Sequence, residues 1–249
     1  MDKTGRYTFL AEPFHCDFSG KLFMSYLGNH MLNAADFHSS DRGFGMKYLN
    51  TVNKTWVLSR LTIEMQEMPE QYARFSVETW VESCMRYFTN RNFCVIDDDG
   101  LVLGYGRSVW AMIDTETRQP ADILSVNDGA IMEWIVNSRD CPIEKSSRVK
   151  MSDRVRMVCQ IGMNYSDIDI NGHVNSVKYL EHVFNLWDVD WYKHHHIRRF
   201  EIAYVAEAHC HDTLSLFIED VSPLEYCVRI QKDDSTEVAR CKVCFEAYF

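Results

Sequence analysis

The chain has 249 residues, of which 46% are hydrophobic, and its 36 acidic and 26 basic residues give a net charge of −10. This length allows one large domain or two small ones, and the apolar fraction is ordinary for a folded protein with a packed core. The negative balance argues against nucleic acid as the main partner, because phosphate binding requires a basic face.

The chain begins with a segment, residues 1–18, that has neither the apolar core of a signal peptide nor the composition of a transit peptide. No later window has the uninterrupted apolar length that would span a bilayer. The nine cysteines are an odd number scattered through apolar surroundings, which argues against a secreted disulfide framework. We therefore expect a cytoplasmic protein without a membrane span.

Two halves of the chain repeat one order of predicted elements. Each half begins with an extended segment, at residues 7–18 and 154–165, and continues into a helical pattern, at residues 22–38 and 175–189. Alternating segments then predict about four strands in each half. We therefore predict an α+β fold in which two antiparallel sheets each wrap around a central helix.

The boundary between the halves falls in a long connector, residues 114–149, which should contain some helix. We place it near residue 145, so that the domains are residues 1–145 and 146–249. The segments predicted as strands by alternation are residues 55–65, 73–83, 91–106 and 107–114 in the first half, and 198–208, 213–221, 224–233 and 237–249 in the second. A hairpin turn is expected at Asp99 and Gly100, inside the third of them.

Polar residues of catalytic type alternate just before the second predicted helix. Asp169, Asn171 and His173 are two residues apart, so on an extended segment their side chains point to one side. Free N–H groups at the start of the helix point back toward that side, which suits a carbonyl oxygen that becomes negative during attack. The alternative is a plain turn and helix cap, because Asp, Asn and Gly cluster in turns.

The first half lacks this arrangement under either offset that aligns the two halves. An offset of 152 puts Ser19 and Lys21 in the places of the asparagine and the histidine, and an offset of 153 puts Phe18 and Gly20 there. If the halves are duplicated, only the second therefore keeps the chemistry. The first half would then have a structural role, such as forming a wall or a substrate tunnel.

Residues 169–181, DINGHVNSVKYLE, resemble the signature of acyl-ACP thioesterases, which release fatty acids from acyl carrier protein (ACP). The resemblance extends over nearly the whole chain, with further motifs at residues 55–61, 68–69, 78–83, 107–114 and 203–208. It implies a tandem hotdog fold, thioester hydrolysis without a cofactor, and a functional set of Asp169, Asn171, His173 and Glu207. Plant members often carry cysteine after that glutamate, whereas Ala208 stands here, so water is the expected attacking group.

Each member of this set has an expected role. Glu207 is expected to activate the water, and Asn171 to hold the same water. His173 is expected to tune the network or to protonate the departing thiolate, and Asp169 to orient its neighbours. The oxyanion is expected to face N–H groups at the start of the second helix. The alternatives are a salt-bridged surface glutamate and a hydrogen-bonded turn histidine.

The partner that the resemblance implies, acyl carrier protein, is itself acidic, so this acidic chain needs a local basic patch to dock it. The first candidates, close to the motif in sequence, are Lys193, Arg198 and Arg199. The second candidates, in the connector, are Arg139, Lys145, Arg148 and Lys150. The alternative for each of them is a solvated charge cluster.

No metal site is predicted. Cys241 and Cys244 form a CxxC, but residues three apart on a strand face opposite sides of the sheet. The histidines at 194–196, and His209 and His211, show no complete ligand set, so we expect solvated surface side chains.

The length of the acyl chain that fits depends on large side chains of the first half, and Phe44, Met46 and Trp56 are the predicted pocket residues. Two other functions stay open. One is an acyl-CoA thioesterase with the same chemistry and a different carrier, and the other is a non-catalytic acyl-binding or sensor protein on the same fold. A homodimer also stays open.

Overall fold

Antiparallel strands make up most of the regular structure in this computed structural model, which describes residues 2–152, 154–233 and 235–248. The chain divides into two units, Met1–Lys145 and Ser146–Phe249. Within the described residues, each unit repeats the order of one strand, two α-helices and four strands. The α+β class and the antiparallel pairing expected from the sequence are therefore confirmed.

The first unit has a sheet with the strand order β1-β3-β4-β5-β2. The strands are β1 (Gly5–Leu10), β2 (Lys54–Met65), β3 (Arg74–Cys84), β4 (Phe88–Asp97) and β5 (Val102–Asp114), and the helices are α1 (Met24–Ser40) and α2 (Met46–Leu49). The helix expected in the connector is present as 3-10 turns over Ile123–Trp134, which residues 127–129 interrupt with left-handed backbone angles.

Helix α1 buries one face along its length. Leu27, Met31 and Ala34 recur at helical spacing and are completely buried. Gly106 on β5 leaves room for this face, because a Cβ at that position would lie 3.0 Å from the Met31 sulfur. The helix therefore packs closely on its own sheet, and this packing forms the core of the first unit.

The second unit has a sheet with the strand order β7-β10-β9-β8-β6. The strands are β6 (Arg156–Gly162), β7 (His195–Tyr204), β8 (Thr213–Ser222), β9 (Glu225–Lys232) and β10 (Glu237–Ala247), and the helices are α3 (Ser176–Phe184) and α4 (Val189–Tyr192). Three predicted strands differ from the structure. Strand β7 ends at Tyr204 and not at residue 208, and β10 ends at Ala247, while residue 249 lies outside the described residues. In the first unit, a turn at residues 98–100 divides the segment 91–106 between β4 and β5, and β5 continues through residues 107–114.

Helix α3 begins at a capped end and buries one face. Asn175 Oδ1 accepts a hydrogen bond from Val177 N–H at 3.0 Å, as expected of an asparagine cap. Val177, Leu180 and Val183 are buried at helical spacing. The predicted helix at residues 175–189 ends earlier, at Phe184, and the separate helix α4 follows. In the described part of the chain, no helix is long and apolar enough to cross a bilayer.

Candidate active site

The motif before α3 forms a tight turn over residues 169–173, so the predicted extended segment with three side chains on one side is wrong, and the alternative of a turn and a helix cap describes the backbone. Asp169 Oδ1 accepts hydrogen bonds from Asn171 N–H at 2.8 Å and His173 N–H at 3.2 Å. The Asp169 N–H donates to His173 O at 2.8 Å, and Gly172 adopts a φ of +81°, which glycine accepts without strain. The Asp169 carboxylate therefore builds the turn that presents the asparagine and the histidine.

The same turn occurs in the first unit. Asp17 Oδ1 accepts from Ser19 N–H at 2.8 Å and Lys21 N–H at 3.2 Å, and Gly20 has a φ of +77°. Asp17 precedes Asp169 by 152 residues, so the hydrogen bonds support the first of the two offsets considered for the halves. Both units therefore share the turn, and serine and lysine replace the asparagine and the histidine in the first.

Glu207 reaches the turn because strand β7 ends early. The N–H groups of Val205 and Ala206 both donate to Val238 O, at 2.9 and 3.3 Å, so the regular ladder stops there. The next segment is attached to the turn by a hydrogen bond from Val174 N–H to Ala208 O at 2.8 Å. Glu207 therefore stands in a loop beside the turn, not on the predicted strand.

The central contact of the site joins His173 Nε2 to Glu207 Oε2 at 3.4 Å. The two side chains are 25% and 35% exposed, so both are partly shielded and both remain open to a ligand. An imidazole beside a carboxylate can exchange protons with a water molecule or a leaving group.

Among the described residues of the first unit, the positions that match His173 and Glu207 hold no such pair, although His15 and Glu12 lie 3.7 Å apart nearby in the sequence. Leu22 N–H donates to Pro69 O at 2.9 Å, as Val174 N–H does to its partner in the second unit. Pro69 therefore corresponds to Ala208, and Met68, the residue before it, corresponds to Glu207. Lysine and methionine therefore stand where the second unit has histidine and glutamate, and the acid–base pair belongs to the second unit.

Asn171 lies at the exposed tip of the turn. Its side chain makes no hydrogen bond to another residue of the described chain. The N–H groups of Val177 and Lys178 donate to Asn175, whereas the Ser176 N–H has no acceptor among the described residues. The first helical N–H of α3 is therefore available to an oxyanion.

His209 is a third titratable side chain at this site. Its ring lies edge-on to that of His173, with centroids 5.1 Å apart. One ligand atom each of His173, Glu207 and His209 lies within 4.8 Å of the others. From the sequence His209 is expected to be a surface histidine, because the alternating pattern gives no sign that the chain turns back here.

Three carboxylates act on the buried hydroxyl of Tyr179, which lies on α3. Burial is the main cause that raises the pKa of Tyr179, and the charges of Asp212, Glu207 and Asp169 raise it further. The hydroxyl therefore stays neutral near pH 7. The same three charges make the potential at the site negative.

Arg199, predicted to dock a carrier, points to a buried partner instead. Its Nε lies 2.9 Å from Glu201 Oε1, and the two side chains are only 13% and 6% exposed. Ser147 N–H and Oγ also donate to Glu201, at 2.7 and 2.8 Å. Arg199 thus stabilises a buried carboxylate and is poorly placed to meet another protein.

The other basic candidates differ in their exposure and in the acidic side chains that lie next to them. Lys193 Nζ lies 2.7 Å from Asp190 Oδ1 and remains half-exposed, and Arg198 Nε lies 3.7 Å from Glu246 Oε2.

The connector holds the second group of basic candidates. Arg139 pairs with Glu78 at 2.7 Å, and Lys145 pairs with Glu82 at 3.5 Å. Arg148 and Lys150 are exposed and form no ion pair with a described residue.

The three predicted pocket residues lie close together in the first unit. Phe44 is buried in a core cluster, and Trp56 packs against that cluster and donates its Nε1–H to Phe44 O at 2.8 Å. Met46 Sδ accepts from Thr55 Oγ1 at 3.3 Å. Phe44 and Trp56 therefore belong to one apolar cluster, whereas Met46 contacts Thr55, whose side chain faces the other side of β2 from that of Trp56.

Comparisons with known proteins agree on one family. Models of the acyl-ACP thioesterase N-terminal and C-terminal domains match residues 5–128 and 150–245. The crystal structure of an acyl-ACP thioesterase from Bacteroides thetaiotaomicron is 54% identical and has a TM-score of 0.92 over 98% of each chain. A 12:0-ACP thioesterase from Umbellularia californica, 21% identical, has a TM-score of 0.83 over 100% of this chain and 99% of its own, which supports the fold.

Curated relatives carry names of the same kind. A chloroplastic palmitoyl-acyl carrier protein thioesterase from Arabidopsis thaliana is 31% identical over 51% of this chain and 32% of its own length. Its counterpart from Gossypium hirsutum is 30% identical over 62% of this chain and 40% of its own. The matched region thus spans less than half of these longer relatives. On the two domain models and the Bacteroides structure together, the chain belongs to the acyl-ACP thioesterase family.

Proposed function

We propose that this protein hydrolyses the thioester of fatty acyl-ACP and releases the free fatty acid during fatty acid biosynthesis. The observation that carries the proposal is the contact of His173 with Glu207, at 3.4 Å, in the second unit. Family membership supports the substrate class, and the acid–base pair supports hydrolysis over simple binding. A non-catalytic acyl-binding or sensor protein has no need of a water-activating carboxylate.

Water is the attacking group in this proposal. Glu207 takes one proton from a water molecule that Asn171 holds, and the water oxygen adds to the thioester carbon. The carbonyl oxygen becomes negative and accepts a hydrogen bond from Ser176 N–H at the start of α3. Collapse of this intermediate breaks the carbon–sulfur bond, and His173 gives a proton to the departing thiolate. His173 then regains a proton from Glu207 across their 3.4 Å contact, so the proton taken from water ends on the sulfur and both side chains return to their starting states.

In this proposal the two units have different roles. Each is a hotdog unit in which the sheet wraps a central helix, α1 in the first and α3 in the second. The first unit, residues 1–145, forms the acyl pocket, with Phe44, Met46 and Trp56 among its residues, and the second, residues 146–249, holds the catalytic set. A cytoplasmic location and a homodimer stay predictions.

Asp169 is assigned as a positioning residue, and Asp17 offers a matched control. Asp169→Ala removes the acceptor of two N–H groups, so we expect a loss of about 1–2 kcal/mol in unfolding free energy. We also expect at least a tenfold fall in kcat, because the turn that presents the asparagine and the histidine loosens. Asp17→Ala should cost similar stability and leave kcat within about twofold, since its turn lacks the asparagine and the histidine of the proposed catalytic set.

Stability is measured by urea unfolding and kcat with saturating acyl-ACP. Asp169→Asn, whose amide oxygen can still accept both hydrogen bonds, should restore most of the rate. Equal losses of kcat in Asp169→Ala and Asp17→Ala would contradict the positioning role.

Carrier docking is assigned to Lys193 and Arg198. Replacing both by glutamate should raise KM for acyl-ACP several-fold and flatten its dependence on ionic strength, with kcat little changed. The measurement is a set of KM values between low and high salt. Lys47→Glu, an exposed lysine in the first unit, serves as the control. A double variant with the wild-type salt dependence would rule out docking at this position.

The carrier itself separates this proposal from the acyl-CoA alternative. Rates on acyl-ACP and acyl-CoA of equal chain length, measured side by side, should give the higher kcat/KM for acyl-ACP. A higher kcat/KM for acyl-CoA would show that the carrier is coenzyme A and not ACP, with the same hydrolytic chemistry. Binding of both without release of fatty acid would favour the sensor alternative.

A further inference from the structure

We propose that His173, Glu207 and His209 together bind a divalent transition-metal ion of the zinc class, and that the bound ion inhibits hydrolysis. The binding part does not depend on the catalytic assignment. The inhibition part rests on the proposed function, because the ion would occupy the pair that moves protons during hydrolysis. The sequence gives no sign of this site, since the three ligands come from two segments that meet only in the fold.

The spacing of the ligand atoms suits a tetrahedral ion. Zinc binds imidazole nitrogen and carboxylate oxygen at about 2.0–2.1 Å, so two ligands of one ion stand about 3.4 Å apart. The His173 Nε2 to Glu207 Oε2 distance is 3.4 Å. All three ligand atoms lie within 4.8 Å of one another, so a movement of up to about 1.4 Å by the half-exposed His209 side chain brings them to that spacing.

Asp212 lies beside the third ligand. Its Oδ2 accepts from the backbone N–H of His209 at 2.9 Å and lies 4.0 Å from the ring nitrogen Nδ1, so a small rotation of the imidazole is needed for a hydrogen bond to the ring. Metal-bound histidines usually donate their second ring N–H to a carboxylate or a carbonyl. This arrangement leaves His209 Nε2 as the ligand atom and assigns the orienting role to Asp212.

The chemistry of the site selects the class of ion. Two imidazoles and one carboxylate are the ligands of open zinc sites, in which a fourth position is left for water. They favour zinc, cobalt and nickel over magnesium and calcium, which prefer oxygen ligands. The carboxylates of Asp169 and Asp212 add negative charge near this site, since both act with Glu207 on Tyr179, and Lys232, whose Nζ lies 3.4 Å from Glu207 O, is the positive charge beside them.

The first experiment measures Zn²⁺ binding by calorimetry at pH 7 to the full chain. Wild type is compared with His209→Gln, which removes the third ligand, and with His211→Asn, which changes the exposed histidine two positions away. Asparagine tolerates the positive φ of 74° at residue 211. We expect His209→Gln to weaken one binding event at least about tenfold and His211→Asn to leave it unchanged. Equal affinity in His209→Gln and wild type would overturn the proposal.

Cobalt distinguishes this site from the free cysteines, among which Cys210 is adjacent to His209. The absorption spectrum of the Co²⁺ complex should show nitrogen and oxygen ligation without a thiolate charge-transfer band. A thiolate band that persists in His209→Gln would place the ion elsewhere and overturn the assignment.

The second experiment measures acyl-ACP hydrolysis against free Zn²⁺. Each variant is compared with its own zinc-free rate. Wild type should lose activity at the concentration that fills the calorimetric site, recover it with a chelator, and show no loss with Mg²⁺. His209→Gln should need at least about ten times more zinc for half inhibition.

The two proposals fail separately. Full hydrolysis by wild type with the zinc site filled would overturn the inhibitory role alone. No hydrolysis by the zinc-free protein would overturn the proposed function, while loss of zinc affinity in His209→Gln would still support the metal site.

Discussion

Replacing Glu207 by glutamine should lower kcat for acyl-ACP hydrolysis by about two orders of magnitude or more while leaving the fold intact. The amide has almost the same shape as the carboxylate but cannot take a proton from water. Glu207 is 35% exposed and stands in a loop after β7, so its loss removes no core packing. The measurement is initial rates of fatty acid release at saturating acyl-ACP, with circular dichroism and urea unfolding on the same samples.

A matched control is Glu225→Gln on β9. Glu225 forms a surface ion pair with Lys242 at 3.3 Å, so this change also removes one partly exposed carboxylate from the second unit. Surface pairs contribute little to stability, and the rate should stay within about twofold of wild type. A folded Glu207→Gln with near-normal turnover would remove Glu207 from the mechanism. His173→Ala and Asn171→Ala should each show a loss of the same order.

Arg199→Met should destabilise the protein by about 3–5 kcal/mol, the usual cost of removing one partner from a buried ion pair. The change leaves Glu201, which is only 4% exposed, without its neutralising guanidinium. Ser147 still donates two hydrogen bonds to that carboxylate, but neither carries a compensating charge. The loss is measured as the change in unfolding free energy in urea.

The double variant Arg199→Met/Glu201→Leu tests the cause. It removes both charges, so most of the lost unfolding free energy should return. The coupling energy between positions 199 and 201, obtained from the double-mutant cycle, should therefore be large. KM for acyl-ACP should keep its salt dependence in the double variant, because Arg199 is assigned no role in docking. An Arg199→Met protein as stable as wild type, with a raised KM, would restore the original prediction that Arg199 meets the carrier.

The elements were largely predictable because their signals are local. Apolar residues at helical spacing marked α1 and α3, and alternation marked the strands. Alternation failed at the end of β7, because the pattern continues to residue 208 while Val238 O accepts from both Val205 and Ala206 and stops the ladder. The helix predicted at residues 175–189 was too long, because a C-cap at Asn185 ends α3 after Phe184.

The candidate site was predictable in part. Asp169, Asn171 and His173 stand together in the sequence, whereas Glu207 follows His173 by 34 residues and was found through the family motif alone. His209 was missed because its approach to His173 depends on the loop after β7. The opposite directions of Arg198 and Arg199 could have been foreseen, since neighbours on a strand face opposite sides.

The most direct measurement of the central claim is a single-turnover reaction of the wild-type protein with acyl-ACP across a series of chain lengths. Free fatty acid and the ACP thiol are counted separately. The account predicts that both appear in equal amounts, and that His173→Ala and Glu207→Gln still bind acyl-ACP but release neither at a comparable rate. Wild-type protein that binds acyl-ACP and leaves the thioester intact would contradict it.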